Sequence, residues 1–336
     1  MKAAIYTKPH SLKLGTKDLR KLTPGEVLVR VEVCGICGTD VHIVEGRARS
    51  MPPVVLGHEY AGTIEEISSD VKEYVVGQRV AIDPNISCGH CSHCRRGEVN
   101  LCTNLRALGV DIDGGMAEFS IVPETQLYKV PKSLTPEAAA FIEPVSCVIH
   151  GIDRAGIKPG ASVVIIGAGT VGLLMLQMVK SAGASVIAII EPNVEKQRVS
   201  INLGADIVFS PQEAASGINE IAPGGADVVI ECVGRPETMK QAVSFARRGG
   251  TVEFFGVCPI GETISIEPNE IYFKELTIVG SYVNPKTFSR AINALASGAV
   301  KPDKMPISTF SLGELDSAFA ALREGRTIKS IIQPGL

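Results

Sequence analysis

The sequence predicts an α/β protein of two domains, one β-rich and one built on a doubly wound parallel sheet. Three observations carry that reading. Residues 1 to about 146 hold short alternating runs, EVLVRVEV, GTIEEI, QRVAI and AEFSIV, each bounded by Gly, Pro, Asp or Asn. From about residue 147 the texture changes to strand–helix alternation, with VVIIG, VIAIIE, ADIVF, DVVIEC and GTVEFFG separated by helical stretches. Several of these runs are apolar throughout, as expected where helices cover both faces of a parallel sheet. A length of 336 residues suits two domains better than one.

Composition narrows the function classes. Apolar residues make up 45% of the chain and charged residues 21%, enough for a sizeable core. A net charge of −3 offers no basic footprint for nucleic acid or an anionic membrane. The start, MKAAIYTKPH, lacks the apolar stretch of a signal peptide. The longest apolar run, VVIIGAGTVGLLMLQMV, is broken by three glycines, a threonine and a glutamine and reads as strand–turn–helix, not a membrane span. A cytoplasmic location is therefore expected, where thiols stay reduced and clustered cysteines bind metal or do redox work.

In chain order, the first chemistry-bearing stretches are CGICGTDVHI (34–43) and LGHEYAG (56–62). Cys37, His58 and Glu59 offer a thiolate, an imidazole and a carboxylate, the mixed set a catalytic zinc uses with one position left open. Next comes CGHCSHCRRGEVNLC, in which Cys88, Cys91, Cys94 and Cys102 follow C-x2-C-x2-C-x7-C. Four thiolates in one loop close a tetrahedral shell around Zn²⁺ and leave no place for substrate, so this site is structural. An iron–sulfur cluster uses similar ligands. His90 and His93 lie between the cysteines and are expected to be solvated.

The third signal is VVIIGAGTVGLLML, a strand running into Gly167-Ala168-Gly169-Thr170-Val171-Gly172 and then a helix. Gly167 permits the tight turn, Gly169 lets the backbone approach a pyrophosphate, and Gly172 lets helix and strand pack closely. Glu191 ends the next strand, placed to accept hydrogen bonds from ribose hydroxyls and to repel a 2′-phosphate, which favours NAD over NADP. After residue 283 come helical FSRAINALASG and LGELDSAFAALREG around loop-like PDKMPISTF.

Taken in order, GICGTDVH, GHEYAG, the CGHCSHCRRGEVNLC lobe, FIEPVSC and VIIGAGTVG make the chain resemble the zinc-dependent medium-chain alcohol dehydrogenases over essentially its whole length. The resemblance implies a GroES-like catalytic domain over 1–146 and 283–336, with a structural zinc lobe at 86–104, and a Rossmann coenzyme domain over 147–282. It implies two Zn²⁺ per chain and NAD, with Glu143 of FIEPVSC joining Cys37, His58 and Glu59 at the catalytic zinc. Glu143 stands where ethanol-type enzymes have cysteine, and so looks like the polyol (sorbitol-type) branch, while CGTDVHI looks like the threonine dehydrogenase branch. Cys147, one turn on, reads as a small apolar residue. Ser281 of GSYVN occupies the place where sorbitol-type enzymes carry an arginine.

The same resemblance assigns the remaining roles. Thr39 would hydrogen-bond the substrate hydroxyl and pass its proton, through the coenzyme ribose, to His42, with Glu59 beside the reacting centre. Asp40 would fix the tautomer of His58. Lys196 would touch the ribose or phosphate, and Lys329 the pyrophosphate. The expected substrate is a small secondary alcohol with a neighbouring hydroxyl, a polyol, sugar alcohol or cyclitol oxidised to a ketone, with threonine as the alternative, and the expected assembly a homodimer or homotetramer. A zinc-binding regulatory or nucleic-acid protein is opposed by the acidic balance and the complete fingerprint. A metal-free NADPH reductase is opposed by the eight ligands and by Glu191.

Overall fold

The EVLVRVEV run forms the centre of the first unit. Val27, Val29, Val31 and Val33 are at most 3% exposed, while Arg30 between them faces solvent. This alternation lets the Glu26–Gly35 strand sit in an antiparallel sheet with one buried face. Its neighbours are Glu59–Ile67 on one side and Lys329–Ile332 on the other; Arg79–Ile82 and Leu127–Lys129 extend the sheet beyond Glu59–Ile67, and Ile307–Phe310 extends it beyond Lys329–Ile332. Phe119–Pro123 also pairs with Glu26–Gly35. Val27, Val29, Ile64, Val80, Ile82, Val122 and Phe319 form the core beneath it.

The computed structural model describes residues 1–336. The chain divides into two units, Met1–Ser146 with Asn284–Leu336, and Cys147–Val283. No helix is long and apolar enough to cross a membrane.

The second unit is a six-stranded parallel sheet. Its order is Ile207–Phe209, Val186–Ile190, Ser162–Ile166, Ala226–Glu231, Ala246–Phe254, Thr277–Gly280. In chain order this is 3-2-1-4-5-6, the Rossmann arrangement that right-handed crossovers produce. Ser162–Ile166 was the first strand of the alternating region, and it lies at the centre because both its neighbours arrive by crossovers. Gly167 ends it at φ +98°, a left-handed turn that suits glycine alone. A Cβ on Gly172 would collide with the Gly167 carbonyl, so the helix Thr170–Ser181 can start here only with glycine at that position.

One residue breaks the pattern. Val252 packs into the core with Val229 and Val243, and Glu253 therefore points to the opposite face, which is also covered. Glu253 is fully buried, neither carboxylate oxygen has a hydrogen-bond partner, and Oε1 lies 2.9 Å from where a Gly151 Cβ would stand. Burial pushes its carboxyl up to about 8, opposed only in part by Ser281 and Arg154. A raised carboxyl favours the folded state fully below its unfolded value, and that contribution is lost as pH rises toward 8. At pH 7 the cost is on the order of 3 kcal/mol. Glu253→Gln should raise the melting temperature at pH 7 and flatten its fall between pH 5 and 8. An unchanged slope would contradict this.

Candidate active site

Three strand ends meet at one edge of the first sheet. Gly35 closes Glu26–Gly35 and pairs with Glu59, the first residue of the next strand. Ile331 pairs with Gly35 from the other side, which brings Lys329 past it. A Cβ on Gly35 would collide with the Glu59 carboxylate and stand 2.7 Å from Lys329 Cε, so glycine is what allows these two side chains to meet. Just beyond Gly35, Cys37 caps the helix Gly38–Val44.

The ligand atoms of Cys37, His58 and Glu59 lie within 4.8 Å of one another. Asp40, fully buried, accepts the Cys37 backbone N–H at 2.8 Å through Oδ2. Its other oxygen faces His58 Nδ1 at 3.5 Å, and both of those atoms lack a closer partner. Burial alone would lower the His58 pKa, yet Asp40 and Cys37 hold it well above the ordinary value. Lys329, 1% exposed, donates to Glu59. Burial would lower its pKa too, but Glu59, Cys37 and Glu143 raise it.

This donor set fits a divalent cation. Glu59 and Asp40 are buried carboxylates beside the buried Lys329 ammonium, the His58 imidazole and the half-buried Cys37 thiol, and buried charge without balance costs several kcal/mol per ion. A divalent metal would take the place of the protons on the Cys37 thiol and the His58 imidazole and balance the carboxylates beside them. Glu143 is buried at the start of the Ile142–Ala155 helix, and its charge reaches Lys329. Its carboxylate is not one of the three ligand atoms that converge. Lys329 requires a correction. The pyrophosphate contact expected of it needs an ammonium open to a phosphate, whereas this one is enclosed and committed to Glu59.

Thr39 and His42 lie three residues apart on Gly38–Val44, on one face, and both are half-buried. Burial first, then Arg47, lowers the His42 pKa, so the imidazole is neutral at pH 7 and able to accept a proton.

In the cysteine lobe all four sulfurs also lie within 4.8 Å of one another. Cys91 and Cys94 stand 3.5 Å apart, and Cys88 and Cys94 4.0 Å. Thiolates around one Zn²⁺ sit about 3.8 Å apart, from Zn–S bonds of about 2.3 Å in a tetrahedron. A disulfide needs about 2.05 Å. Cys102 Sγ accepts backbone N–H bonds from Cys88 and Asn104 at 3.2 and 3.3 Å. His90 Nδ1 is 2.8 Å from the Cys88 carbonyl, and His93 Nδ1 2.9 Å from Glu98, so neither imidazole turns inward through that nitrogen.

The second unit holds the dinucleotide fingerprint. Gly169 caps Thr170–Ser181, and nothing lies within 4 Å of where its Cβ would be, leaving the backbone open to a ligand. Thr170 and Val171 form the first turn of that helix, whose N-terminal amides suit a phosphate. Glu191, 6% exposed, accepts the Ala168 N–H at 2.8 Å and the Asn193 N–H at 2.9 Å. It thus braces the glycine turn from the neighbouring strand with one lone pair of each oxygen. Lys196 sits half-buried in the first turn of Val194–Leu203. Two features escaped the sequence reading. The Lys329–Glu59 pair joins residues 270 apart, and only the close approach at Gly35 hints at it. The bonding around Glu231 carried no motif at all.

Residues 23–132 match the alcohol dehydrogenase GroES-like domain, and residues 170–297 the zinc-binding dehydrogenase family. The chain is 32% identical to D-arabinitol dehydrogenase 1 of Uromyces fabae, covering 99% of this chain and 97% of that protein. It is 36% identical to L-threonine 3-dehydrogenase of Pyrococcus horikoshii, over 98% of each. A zinc-binding dehydrogenase from Sinorhizobium meliloti 1021, solved bound to NADP, superposes with a TM-score of 0.95 at 40% identity, over 99% of each chain. The chain is an enzyme of the zinc-dependent medium-chain alcohol dehydrogenase family, with a GroES-like catalytic domain and a Rossmann domain for a nicotinamide coenzyme.

Proposed function

We propose that this chain is an NAD-linked dehydrogenase that oxidises a secondary alcohol with a neighbouring hydroxyl, a polyol, sugar alcohol or cyclitol, to a ketone. The observation that carries it is the converging Cys37–His58–Glu59 set with carboxylates, not a second thiolate, around it. Bound there, zinc would supply Lewis acidity to a substrate hydroxyl and make it easier to deprotonate. Carboxylates are harder and more readily displaced ligands than thiolate, which leaves room for two oxygens of a diol. The similarity to a D-arabinitol dehydrogenase supports the polyol reading.

The chain's own residues supply the rest. Cys37, His58 and Glu59 would hold the catalytic zinc, with Glu143 beside them. Asp40 orients His58, and Lys329 donates a hydrogen bond to Glu59 and holds it in place. Thr39 takes the hydrogen bond from the substrate hydroxyl, and His42 receives the proton and releases it to solvent. Cys88, Cys91, Cys94 and Cys102 would hold a second, structural zinc, which requires reduced thiols and fits the interior of the cell. For assembly we propose a homodimer or homotetramer. The Thr277–Gly280 strand has one edge unpaired within the chain, and nearby Tyr272 and Phe273 are 75% and 62% exposed.

Glu191 supports NAD, because a 2′-phosphate beside its carboxylate would meet a like charge. The threonine-type reading is the rival, favoured by the Pyrococcus relative and by threonine's own adjacent amine and hydroxyl. Polyols, inositols, threonine and simple alcohols should be assayed side by side with saturating NAD and with NADP. The account expects a polyol or cyclitol to lead, and NAD to exceed NADP in kcat/KM by at least about tenfold. Ethanol or 2-propanol leading would refute chelation, threonine leading would assign the other branch, and NADP leading would overturn the role of Glu191.

The acid limb of alcohol oxidation should follow His42. Its lowered pKa predicts loss of rate only as pH drops below the ordinary histidine value of 6.5. His42→Gln should cut kcat at pH 7 by about a hundredfold, the lower end for a lost general base, with partial recovery at alkaline pH. An unchanged pH profile would remove His42 from the relay.

A further inference from the structure

Glu231 ends the Ala226–Glu231 strand and is fully buried, yet no part of the reaction described above uses it. Its Oε1 accepts the N–H groups of Val233 and Gly234 at 2.8 and 2.9 Å and the Thr238 hydroxyl at 2.7 Å. Oε2 shares the Gly234 N–H at 3.1 Å. Its backbone carbonyl accepts the N–H groups of Phe255 and Gly256, at 3.0 and 2.8 Å. The next residue, Cys232, donates its N–H to the Ile166 carbonyl at 2.9 Å. One residue and its neighbour thus tie together the carboxyl ends of Ser162–Ile166, Ala226–Glu231 and Ala246–Phe254. In an open parallel sheet the carboxyl end is where dinucleotides bind.

The packing around this knot leaves no slack. A Cβ on Gly256 would stand 2.5 Å from Glu231 Oε2, and one on Gly234, at φ +78°, would stand 2.5 Å from the Val257 carbonyl. The loop bends back so that Val233 Cγ2 comes within 2.7 Å of where a Gly167 Cβ would be, over the first fingerprint glycine. Val233 is 41% exposed and Val257 72%, two apolar side chains at the rim of the turn that faces a coenzyme phosphate.

We infer that Glu231 is a positioning residue for the coenzyme: its carboxylate sets the 232–234 loop so that Val233 packs the bound dinucleotide against the glycine-rich turn. The inference rests on the nicotinamide-coenzyme reading and adds a residue to it. A carboxylate is needed because three different donors point at one oxygen, and an ionised carboxyl accepts without donating. A glutamine in its place turns an NH₂ toward the Gly234 N–H or gives up the Thr238 hydroxyl.

The test uses the zinc-loaded, full-length enzyme. NADH and NADPH binding to the wild type is measured first by fluorescence; failure of both to bind overturns the coenzyme reading itself. Glu231→Gln should weaken NADH about tenfold and raise the KM for NAD likewise, with kcat at saturating NAD held within about twofold. In a Val233→Ala background the same substitution should change the NADH Kd by less than about twofold, because the side chain it positions is gone. Equal losses in both backgrounds, or a loss in kcat without one in Kd, would mean a purely structural role and overturn the proposal. Should Glu231→Gln not fold, Thr238→Val removes one donor from the same oxygen. It should weaken NADH about threefold in the native background and not in the Val233→Ala one, and unchanged NADH binding would overturn the proposal equally.

Discussion

The candidate active site depends on a buried ion pair between the last strand of the chain and the start of a strand near its beginning. Lys329 is 1% exposed and Glu59 2%, and the two meet only because Gly35 leaves the space between them open. Such a pair is costly to bury unless further groups satisfy it. Here they do so unevenly: Cys37 and Glu143 also act on Lys329, while Asp40 and His58 keep polar atoms without a close partner. Loss of the protons on the Cys37 thiol and the His58 imidazole would leave this cluster with more negative than positive charge. A divalent cation on Cys37, His58 and Glu59 is the simplest species that balances it. The same logic separates the two sulfur-bearing sites. In the cysteine lobe four thiolates surround one point and exclude everything else. At the Cys37 site three unlike donors converge, one fewer than a tetrahedral shell needs.

The Rossmann unit handles its buried carboxylates in three ways. Glu191 accepts one backbone N–H from the glycine turn, at Ala168, and one from Asn193 in the loop that follows its own strand. Glu231 is saturated by donors from its own loop and helps shape the sheet's carboxyl edge. Glu253 has no hydrogen-bond partner, and burial, opposed in part by Ser281 and Arg154, raises its pKa. Three glutamates at strands of one sheet thus differ in how far their carboxylates are satisfied, and the packing explains no role for the last.

What could be read from sequence follows the range of the interaction. The cysteine lobe is legible because its four ligands fall within fifteen residues and their spacing alone implies a closed shell. The parallel sheet is legible because apolar strands alternate with helices, and crossover handedness then limits the strand order. Cys37, His58 and Glu59 are separated by about twenty residues and gain meaning only from the company of the other motifs. Lys329 is the instructive failure. In the sequence KSII it reads as a polar residue at a strand start, and nothing local says that the strand lies beside Gly35 with its lysine turned inward. Glu253 misleads for a related reason. Alternation in TVEF suggests a solvent face, but in a parallel sheet both faces are covered.

The charge argument stands or falls on metal content. Elemental analysis of the purified, active protein should find two zinc ions per chain. His58→Ala should keep one of them, with an intact far-ultraviolet circular dichroism spectrum and no turnover, because the cysteine lobe does not depend on the Cys37 site. One zinc or none in the active wild type, or two retained in His58→Ala, would show that the Cys37 sulfur, the imidazole and the carboxylates are balanced by something other than a bound cation.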